Sequence, residues 1–199
     1  MKLNQAVIFA VLLVAVLSRK GIIISQSTSY ETFDCLVNNG FEFIRVQAFS
    51  YSGEVLNFLN LTMQAAKAAG MAVDIYYIPC KNINSSSTYT ALAKFSSSLF
   101  SKIWINVESN PSSQSCGWRD DSCGFLTQLA DDLKSNLSKI VGITSNGRIW
   151  QNIMDDIYNC GGSSSLPLTY FSDDNSSSIK DFTPFGNWIK PGMKIFSSS

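Results

Sequence analysis

The side chains available for chemistry are limited, because the 199-residue chain contains no histidine. Ser-His-Asp and Cys-His catalysis and His-ligated zinc all require an imidazole as base or ligand, so the composition excludes them. Chemistry by this chain would therefore rest on carboxylates, which donate a proton or stabilise positive charge. Asp74 and Glu108 lie in or directly after predicted strands. We expect no metal and no cofactor.

Glu108 follows Asn106 by two positions at the end of a predicted strand. Residues i and i+2 of a strand share a face, so both side chains point to the same side of the sheet. Spacing alone favours a structural role for Glu108, since such a glutamate is usually solvated or caps a neighbouring helix. Asp74 is interpreted first as a buried, hydrogen-bonded structural residue, and a role as a substitute carboxylate is the alternative.

The elements that position these residues alternate between short apolar strands and amphipathic helices. Strands are predicted at residues 22–24, 41–46, 71–78, 102–107 and 140–143, and helices at 28–40, 54–69, 88–100 and 148–158. This alternation implies right-handed βαβ units around a parallel sheet, and periodicity does not decide between a closed barrel and an open sheet. Two further strands, at residues 166–171 and 193–196, follow without a helix between them.

The N-terminus predicts export. Residues 1–18 combine Lys2 with a short apolar run and are expected to be a signal peptide, with an uncleaved anchor as the alternative. Residues 19–199 then form one domain, and we expect a secreted or lumenal protein, including a phagosomal or lysosomal one. Four N-glycosylation triplets agree with export and predict a glycoprotein; they begin at Asn60, Asn84, Asn136 and Asn175.

Five cysteines in an oxidising compartment should pair and leave one over. Cys116 and Cys123 flank a short loop and are the predicted pair. Cys35, on the apolar face of a predicted helix, is the candidate for a buried free thiol.

The charges balance, with 15 Lys and Arg against 15 Asp and Glu. A balanced charge offers no broad attraction for nucleic acid or anionic lipid, so we expect neither a nucleic acid partner nor membrane binding after signal cleavage. We expect a monomer.

A series of segments resembles the eukaryotic branch of the glycoside hydrolase family 25 lysozymes. Their order and spacing together are specific, although no single segment decides the match. The resemblance implies an irregular TIM-like α/β barrel of five βα units followed by three strands. The segments are residues 21–26, 43–48, 68–71, 73–80, 103–108, 141–145, 166–168 and 182–191.

The resemblance also implies an active site at the carboxyl ends of the strands, where family members cleave peptidoglycan with acidic side chains. Glu108 stands at the position of the proton-donating Glu. Asn106 replaces the partnering Asp, and Ile23 replaces the first strand's Asp. The family's last strand, with its Asp, is missing from the sequence, so three of the four acidic positions lack a carboxylate and an edge should remain between the first and seventh strands.

Aromatic side chains complete the predicted site, although aromatics on barrel strands more often belong to the core. Trp118 is the best candidate for a flat surface against a sugar ring, because it lies in a polar segment where a core role is harder to justify. The other predicted substrate-binding residues are Tyr76, Tyr170 and, in its alternative role, Asp74. The family commonly has Trp at the position of Thr169, so part of that surface is absent.

Three hypotheses follow from this pattern. The leading one is a lysozyme-like protein of innate defence that binds peptidoglycan or a related N-acetylated glycan and hydrolyses it weakly or not at all, because stabilising charge has been lost. The second is an active muramidase, in which Glu108 is the acid and Asn106 orients the substrate's N-acetyl group. The third is a truncated relic without a ligand.

Overall fold

The computed structural model describes residues 19–80, 83–108, 118, 121–154, 160, 163–172 and 174–196. Within them, seven strands form one sheet in the order of the sequence. The strands are β1 Gly21–Ile24, β2 Phe43–Gln47, β3 Ala72–Tyr77, β4 Lys102–Asn106, β5 Ile140–Ser145, β6 Leu168–Ser172 and β7 Met193–Phe196. The helices are α1 Tyr30–Asn38, α2 Leu59–Ala68, α3 Ser85–Leu92, α4 Ser122–Leu137 and α5 Gly147–Met154.

The sheet is parallel throughout and curls into part of a barrel. One helix follows each of the first five strands, and no α-helix is found among the described residues between β6 and β7. Among the described residues, β1 pairs only with β2 and β7 pairs only with β6. The predicted irregular barrel with an open edge is therefore confirmed.

The two faces of the sheet differ in chemistry. Side chains that point outward toward the helices are apolar and fully buried, as Ile44, Val73, Ile103 and Ile143 illustrate. Both faces of a parallel sheet are covered in most folds, so its strands are rich in branched apolar residues. The apolar segments from which the strands were predicted have this composition. The inner face carries the polar residues, and it therefore positions the candidate site.

Arg45 of β2 spans the inner face. Its side chain is 1% exposed. Its guanidinium donates to the hydroxyls of Thr144 on β5 at 3.2 Å and Thr169 on β6 at 3.0 Å, and to the sulfur of Met193 on β7 at 3.2 Å. The same group stacks 4.0 Å from the ring centroid of Trp104 on β4. One cation thus connects five of the seven strands.

Three helices differ from the prediction. The helix predicted at residues 88–100 spans Ser85–Leu92. The helix predicted from residue 54 begins at Leu59, because the preceding residues turn back on the chain after β2: Phe49 and Val55 form an isolated antiparallel bridge, and Gly53 adopts φ +86°. The helix α4 was not predicted. Asp121 caps it by accepting from the amide of Gly124 at 2.9 Å.

The cysteine prediction was wrong. Cys123 is bonded to Cys160, not to Cys116, which lies outside the described residues. Cys123 lies in the first turn of α4, so its partner is set by the packing of that helix and not by proximity in sequence. Cys35 is the free cysteine, but it is exposed on α1 and not buried.

Several predicted segments lie outside the described residues. These include the signal peptide at residues 1–18, the end of the helix predicted to residue 158, and residues 197–199. Among the helices that are described, none has the length and apolar character needed to cross a membrane.

We expect the Cys123–Cys160 disulfide to stabilise the fold by restricting the unfolded chain. The bond closes a loop with a sequence separation of 37 residues. Replacing both cysteines by alanine should lower the free energy of unfolding by roughly 2–4 kcal/mol. Urea unfolding of the double variant, beside Cys35→Ala as a control that removes an unpaired thiol, measures the difference. Equal unfolding midpoints for wild-type and double variant would contradict the expectation.

Candidate active site

The candidate site lies at the carboxyl ends of β2, β3 and β4. Gln47 ends β2, Tyr76 lies near the end of β3 and is in register with Gln47, and Asn106 ends β4 with Glu108 two residues beyond. Active sites of barrel enzymes lie at this end of the strands, because the loops that follow them can vary without disturbing the sheet.

Glu108 is half-buried and has one side-chain partner among the described residues. Its Oε1 accepts a hydrogen bond from Nδ2 of Asn106 at 3.1 Å. Burial raises the pKa of Glu108 above its ordinary value because it disfavours the charged form, and the hydrogen bond from Asn106 lowers the pKa by a smaller amount. A raised pKa favours the protonated form of Glu108, which is the form that a general acid needs.

Asn106 has one half of its carboxamide engaged and the other free. Nδ2 donates to Glu108, whereas Oδ1 is buried and has no hydrogen-bond partner among the described residues. A buried acceptor without a donor is costly, and such groups concentrate at functional sites. Asn106 is in register with Thr144, whose hydroxyl accepts from Arg45, so both side chains belong to the inner face.

Tyr76 and Gln47 form the opposite wall of the site. The hydroxyl of Tyr76 donates to Oε1 of Gln47 at 3.4 Å, and Nε2 of Gln47 donates to the carbonyl of Phe49 at 2.8 Å. Burial raises the pKa of Tyr76 to about 12, with smaller contributions from the nearby Tyr51 and Glu108. The phenol is therefore a neutral hydrogen-bonding group at physiological pH.

Asp74 is engaged below the site. Its Oδ2 accepts from Nε1 of Trp104 at 3.0 Å, and its Oδ1 accepts from the amide of Lys102 at 3.1 Å. The residue is 8% exposed and lies in register with Arg45. These contacts are those of a structural carboxylate, and they leave Asp74 poorly placed to replace a catalytic one.

Trp118 is close to Glu108 through the backbone. Its Nε1 donates to the carbonyl of Glu108 at 3.1 Å, and its ring meets Phe125 of α4 edge-on with centroids 5.9 Å apart. The indole is half-buried against the core, so one part of it packs and another faces solvent. The structure thus brings Trp118 to the catalytic candidate and also gives it a packing role.

Tyr170 lies on the other face of the sheet. Thr169 points inward to Arg45, and successive strand residues alternate between faces, so Tyr170 points outward. Its hydroxyl donates to Oδ1 of Asp181. Of the four predicted substrate-binding residues, Tyr170 is therefore the one that the structure separates from Glu108.

Ile23 occupies the inner face of β1, in register with Arg45. Its side chain is 39% exposed because no strand covers that edge in the described part of the chain. Where the family pattern has a carboxylate, this face presents an apolar surface. Among the described residues, no group of three or more His, Cys, Asp or Glu is arranged to hold a metal ion.

Three residues near the site were not predicted from the sequence: Gln47, Tyr51 and Arg45. Gln47 could have been predicted, because it directly follows a predicted strand and lies two residues after Arg45, so both side chains point to the same face of the sheet. Tyr51 comes from the loop after β2, and only residues 54–58 of that loop were predicted as helix. No sequence signal indicated that Arg45 would reach Thr144 and Thr169, which are 99 and 124 residues away.

Several relatives are similar to the chain in sequence over most of their length. The chain is 29% identical over 194 residues to the probable GH family 25 lysozyme 4 of Dictyostelium discoideum, covering 95% of this chain and 88% of that protein. It is also 29% identical over 192 residues to lysozyme-like protein 5 of Caenorhabditis elegans, covering 92% and 85% respectively.

Solved structures agree on the fold. A family GH25 lysozyme from Aspergillus fumigatus superposes with a TM-score of 0.72 at 18% identity, covering 90% of this chain and 86% of that one. The model of the family described as lysozyme-like protein 1 matches residues 16–196. The resemblance to glycoside hydrolase family 25 lysozymes is thereby confirmed, and the chain belongs to the lysozyme-like protein 1 family.

Proposed function

We propose that this protein is a secreted, lysozyme-like protein that binds bacterial peptidoglycan, and that its hydrolytic activity is weak or absent. One observation carries the second part: the side chain that hydrogen-bonds Glu108 is the neutral carboxamide of Asn106. Glycoside hydrolysis needs an acid and a second group that stabilises the positive sugar centre. Glu108 supplies the acid, and no described carboxylate supplies the second group.

The loss of the negative charge at position 106 is expected to lower the rate of hydrolysis strongly. A single well-placed stabilising group is worth about 10²–10³ in rate, because it acts in a site where water is partly excluded. Asn106 retains the size and one acceptor of an aspartate but not its charge. Asp74 is held by Trp104 and the backbone of Lys102, so it does not compensate.

Peptidoglycan binding is supported by the side chains that remain at the carboxyl ends of β2, β3 and β4, which we call the rim. Tyr76, Gln47 and Asn106 offer hydrogen-bonding groups, and the partly exposed faces of Trp118 and Tyr51 offer flat apolar surfaces. Carbohydrate sites combine these two kinds of contact, since a pyranose ring has an apolar face and a polar edge. Export, N-glycosylation, a monomeric state and a role in innate defence are part of the proposal and rest on the sequence.

A second candidate function is favoured by the free Oδ1 of Asn106. A buried acceptor beside Glu108 fits the N–H of a substrate acetamido group. The carbonyl oxygen of that group would then bond to the sugar centre in place of an enzyme carboxylate, while the glycosidic bond breaks and Glu108 gives its proton to the leaving oxygen. In this reading the protein is an active muramidase, with Asn106 as the orienting residue.

Clearing of a bacterial wall suspension, run beside a pull-down on insoluble peptidoglycan, separates the two candidates. We expect the purified mature protein to be retained on peptidoglycan and to clear walls little, and Glu108→Gln to change clearing little. Strong clearing that Glu108→Gln abolishes would instead establish the muramidase. Absence of both binding and clearing would contradict both candidates. Asn106→Asp is the gain-of-charge variant, and Ile23 still presents an apolar side chain on the same face of the sheet.

The raised pKa of Glu108 has a consequence for stability. A carboxyl whose pKa is higher in the folded state contributes stability that is present below its unfolded pKa and is lost as the pH rises through the folded value. Glu108→Gln should therefore raise the melting temperature relative to wild-type near neutral pH, and the difference should vanish at about pH 4. Glu54→Gln, at an exposed position, is the matched control and should show no such divergence.

The placement of Trp118 predicts a graded effect on binding. Trp118→Phe keeps a ring against Phe125 and loses the hydrogen bond to Glu108, whereas Trp118→Ala loses both. We expect peptidoglycan affinity to fall about tenfold in the alanine variant and less in the phenylalanine variant, with circular dichroism showing an intact fold. Unchanged affinity in Trp118→Ala would remove this residue from the binding surface.

A further inference from the structure

The starts of the strands and the ends of the helices lie together at one end of the barrel, opposite the candidate active site. They do so because each helix returns the chain from the carboxyl end of one parallel strand to the start of the next. The segment before β7 reaches the same end, since the amide of Gly192 donates to the carbonyl of Leu168 at 2.8 Å where β6 and β7 begin. We call this end the amino-end face.

Lysines are concentrated on the amino-end face. Six of them have no carboxylate partner among the described residues. They lie at the starts of β1, β4 and β5, at or just after the ends of α2 and α3, and before β7, and they are Lys20, Lys102, Lys139, Lys67, Lys94 and Lys190. Their charges therefore remain available to an anionic partner.

Carboxylates on the amino-end face are few and are paired. Glu42, which directly precedes β2, accepts from Arg19 at 2.8 Å, and Asp131 of α4 lies 3.8 Å from Lys134. Most other described carboxylates lie toward the carboxyl ends of the strands, including Glu31, Glu54, Glu108, Asp121 and Asp181. The balanced total charge, from which no membrane binding was expected, thus conceals a separation of charge along the barrel axis.

Two exposed isoleucines lie beside lysines on the amino-end face. Ile189, which precedes Lys190, is 81% exposed, and Ile140, which follows Lys139, is 55% exposed. The backbone that carries Ile189 is anchored, because the neighbouring Trp188 is buried and its Nε1 donates to the carbonyl of Leu166 at 2.9 Å. Large apolar side chains held in water in this way gain free energy when they enter an apolar phase.

The proposed glycans leave the amino-end face accessible. Asn60 lies in the first turn of α2, Asn84 caps the start of α3, and Asn175 follows the carboxyl end of β6, so all three lie toward the other end of the barrel. Asn136 lies in the last turn of α4, but its Nδ2 donates back to the carbonyl of Asp132 at 2.8 Å. A glycan at Asn136 would therefore lie along the helix and not across the face.

We propose that the amino-end face docks on the surface of a membrane that contains anionic lipid. The lysines would lie among the headgroup phosphates, and Ile189 and Ile140 would enter the boundary between headgroups and acyl chains. Lipid is favoured over an anionic polymer or nucleic acid because only lipid offers an apolar phase to the isoleucines. The candidate active site would face away from the membrane, so this inference goes beyond the proposed function and does not depend on it.

Co-sedimentation of the mature protein with lipid vesicles tests the proposal. Vesicles of phosphatidylcholine mixed with phosphatidylglycerol are compared with vesicles of phosphatidylcholine alone. We expect retention on the anionic vesicles only, and weaker retention as salt is added, because salt screens the attraction between exposed charges. Equal retention on both kinds of vesicle, or retention on neither, would overturn the proposal.

Two exposed Ile and Lys pairs supply matched variants. Ile189→Ser and Lys190→Gln change the amino-end face, and each should lower affinity for the anionic vesicles about fivefold. Ile179→Ser and Lys180→Gln change the same residue types elsewhere: Ile179 is 53% exposed, and Asp181, which follows the pair, lines a cleft with Ser172 at the carboxyl end of β6. These controls should bind as wild-type does, and an equal loss in both pairs would refute the face.

A soluble glycerol phosphate polymer, which carries the anion of the headgroup without an apolar phase, separates lipid from other anionic partners. We expect the vesicles to be bound more tightly than the polymer, and Ile189→Ser to weaken binding of the vesicles alone. Tighter binding of the polymer, with no effect of Ile189→Ser on either ligand, would overturn the lipid assignment. Because the vesicles contain no peptidoglycan, either result leaves the proposed function to its own test.

Discussion

The guanidinium of Arg45 is the contact on which the curvature of the sheet depends. A closed barrel holds its shape by strand pairing around the full circle, and the described residues provide no such closure. Arg45 of β2 replaces part of this closure, because its guanidinium donates to the hydroxyls of Thr144 on β5 and Thr169 on β6. Burial lowers its pKa to about 10, while the charge of Asp74 opposes the lowering, so the group stays charged at physiological pH.

The same arrangement limits the chemistry above it. The interior below the site contains a cation, and Asp74 faces that cation while it accepts from Trp104 and the amide of Lys102. An acid used in this way stabilises the fold and is not available to a substrate. Glu108 stands at the rim with a carboxamide partner, in a position that permits proton donation but provides no second charge. Of these two carboxylates, Asp74 is therefore fully engaged by the fold, whereas Glu108 accepts one side-chain hydrogen bond among the described residues.

The order of strands could be predicted because buried parallel strands are rich in branched apolar residues, and Asn106 and Glu108 could be placed on one face because strand geometry alternates. Contacts between distant parts of the chain could not be predicted from the sequence. The Cys123–Cys160 bond depends on where α4 packs, and the separation of Tyr170 from Glu108 depends on which face Thr169 occupies. The end of the loop after β2, residues 54–58, was predicted as helix because the bridge between Phe49 and Val55 does not alter the pattern of apolar residues.

The open sheet also has a consequence for self-association. In residues 19–196 the edge strands that the structure describes are β1 and β7, so a contact that joined β7 of one molecule to β1 of another would be head-to-tail and would not close into a dimer. Repeated contacts of that type produce filaments. Ile23 and Phe196 are each 39% exposed near these edges and would favour such growth. Lys20, which directly precedes β1, places a positive charge at that edge and opposes such a contact, whereas the charge of Arg19 is paired with Glu42 at 2.8 Å.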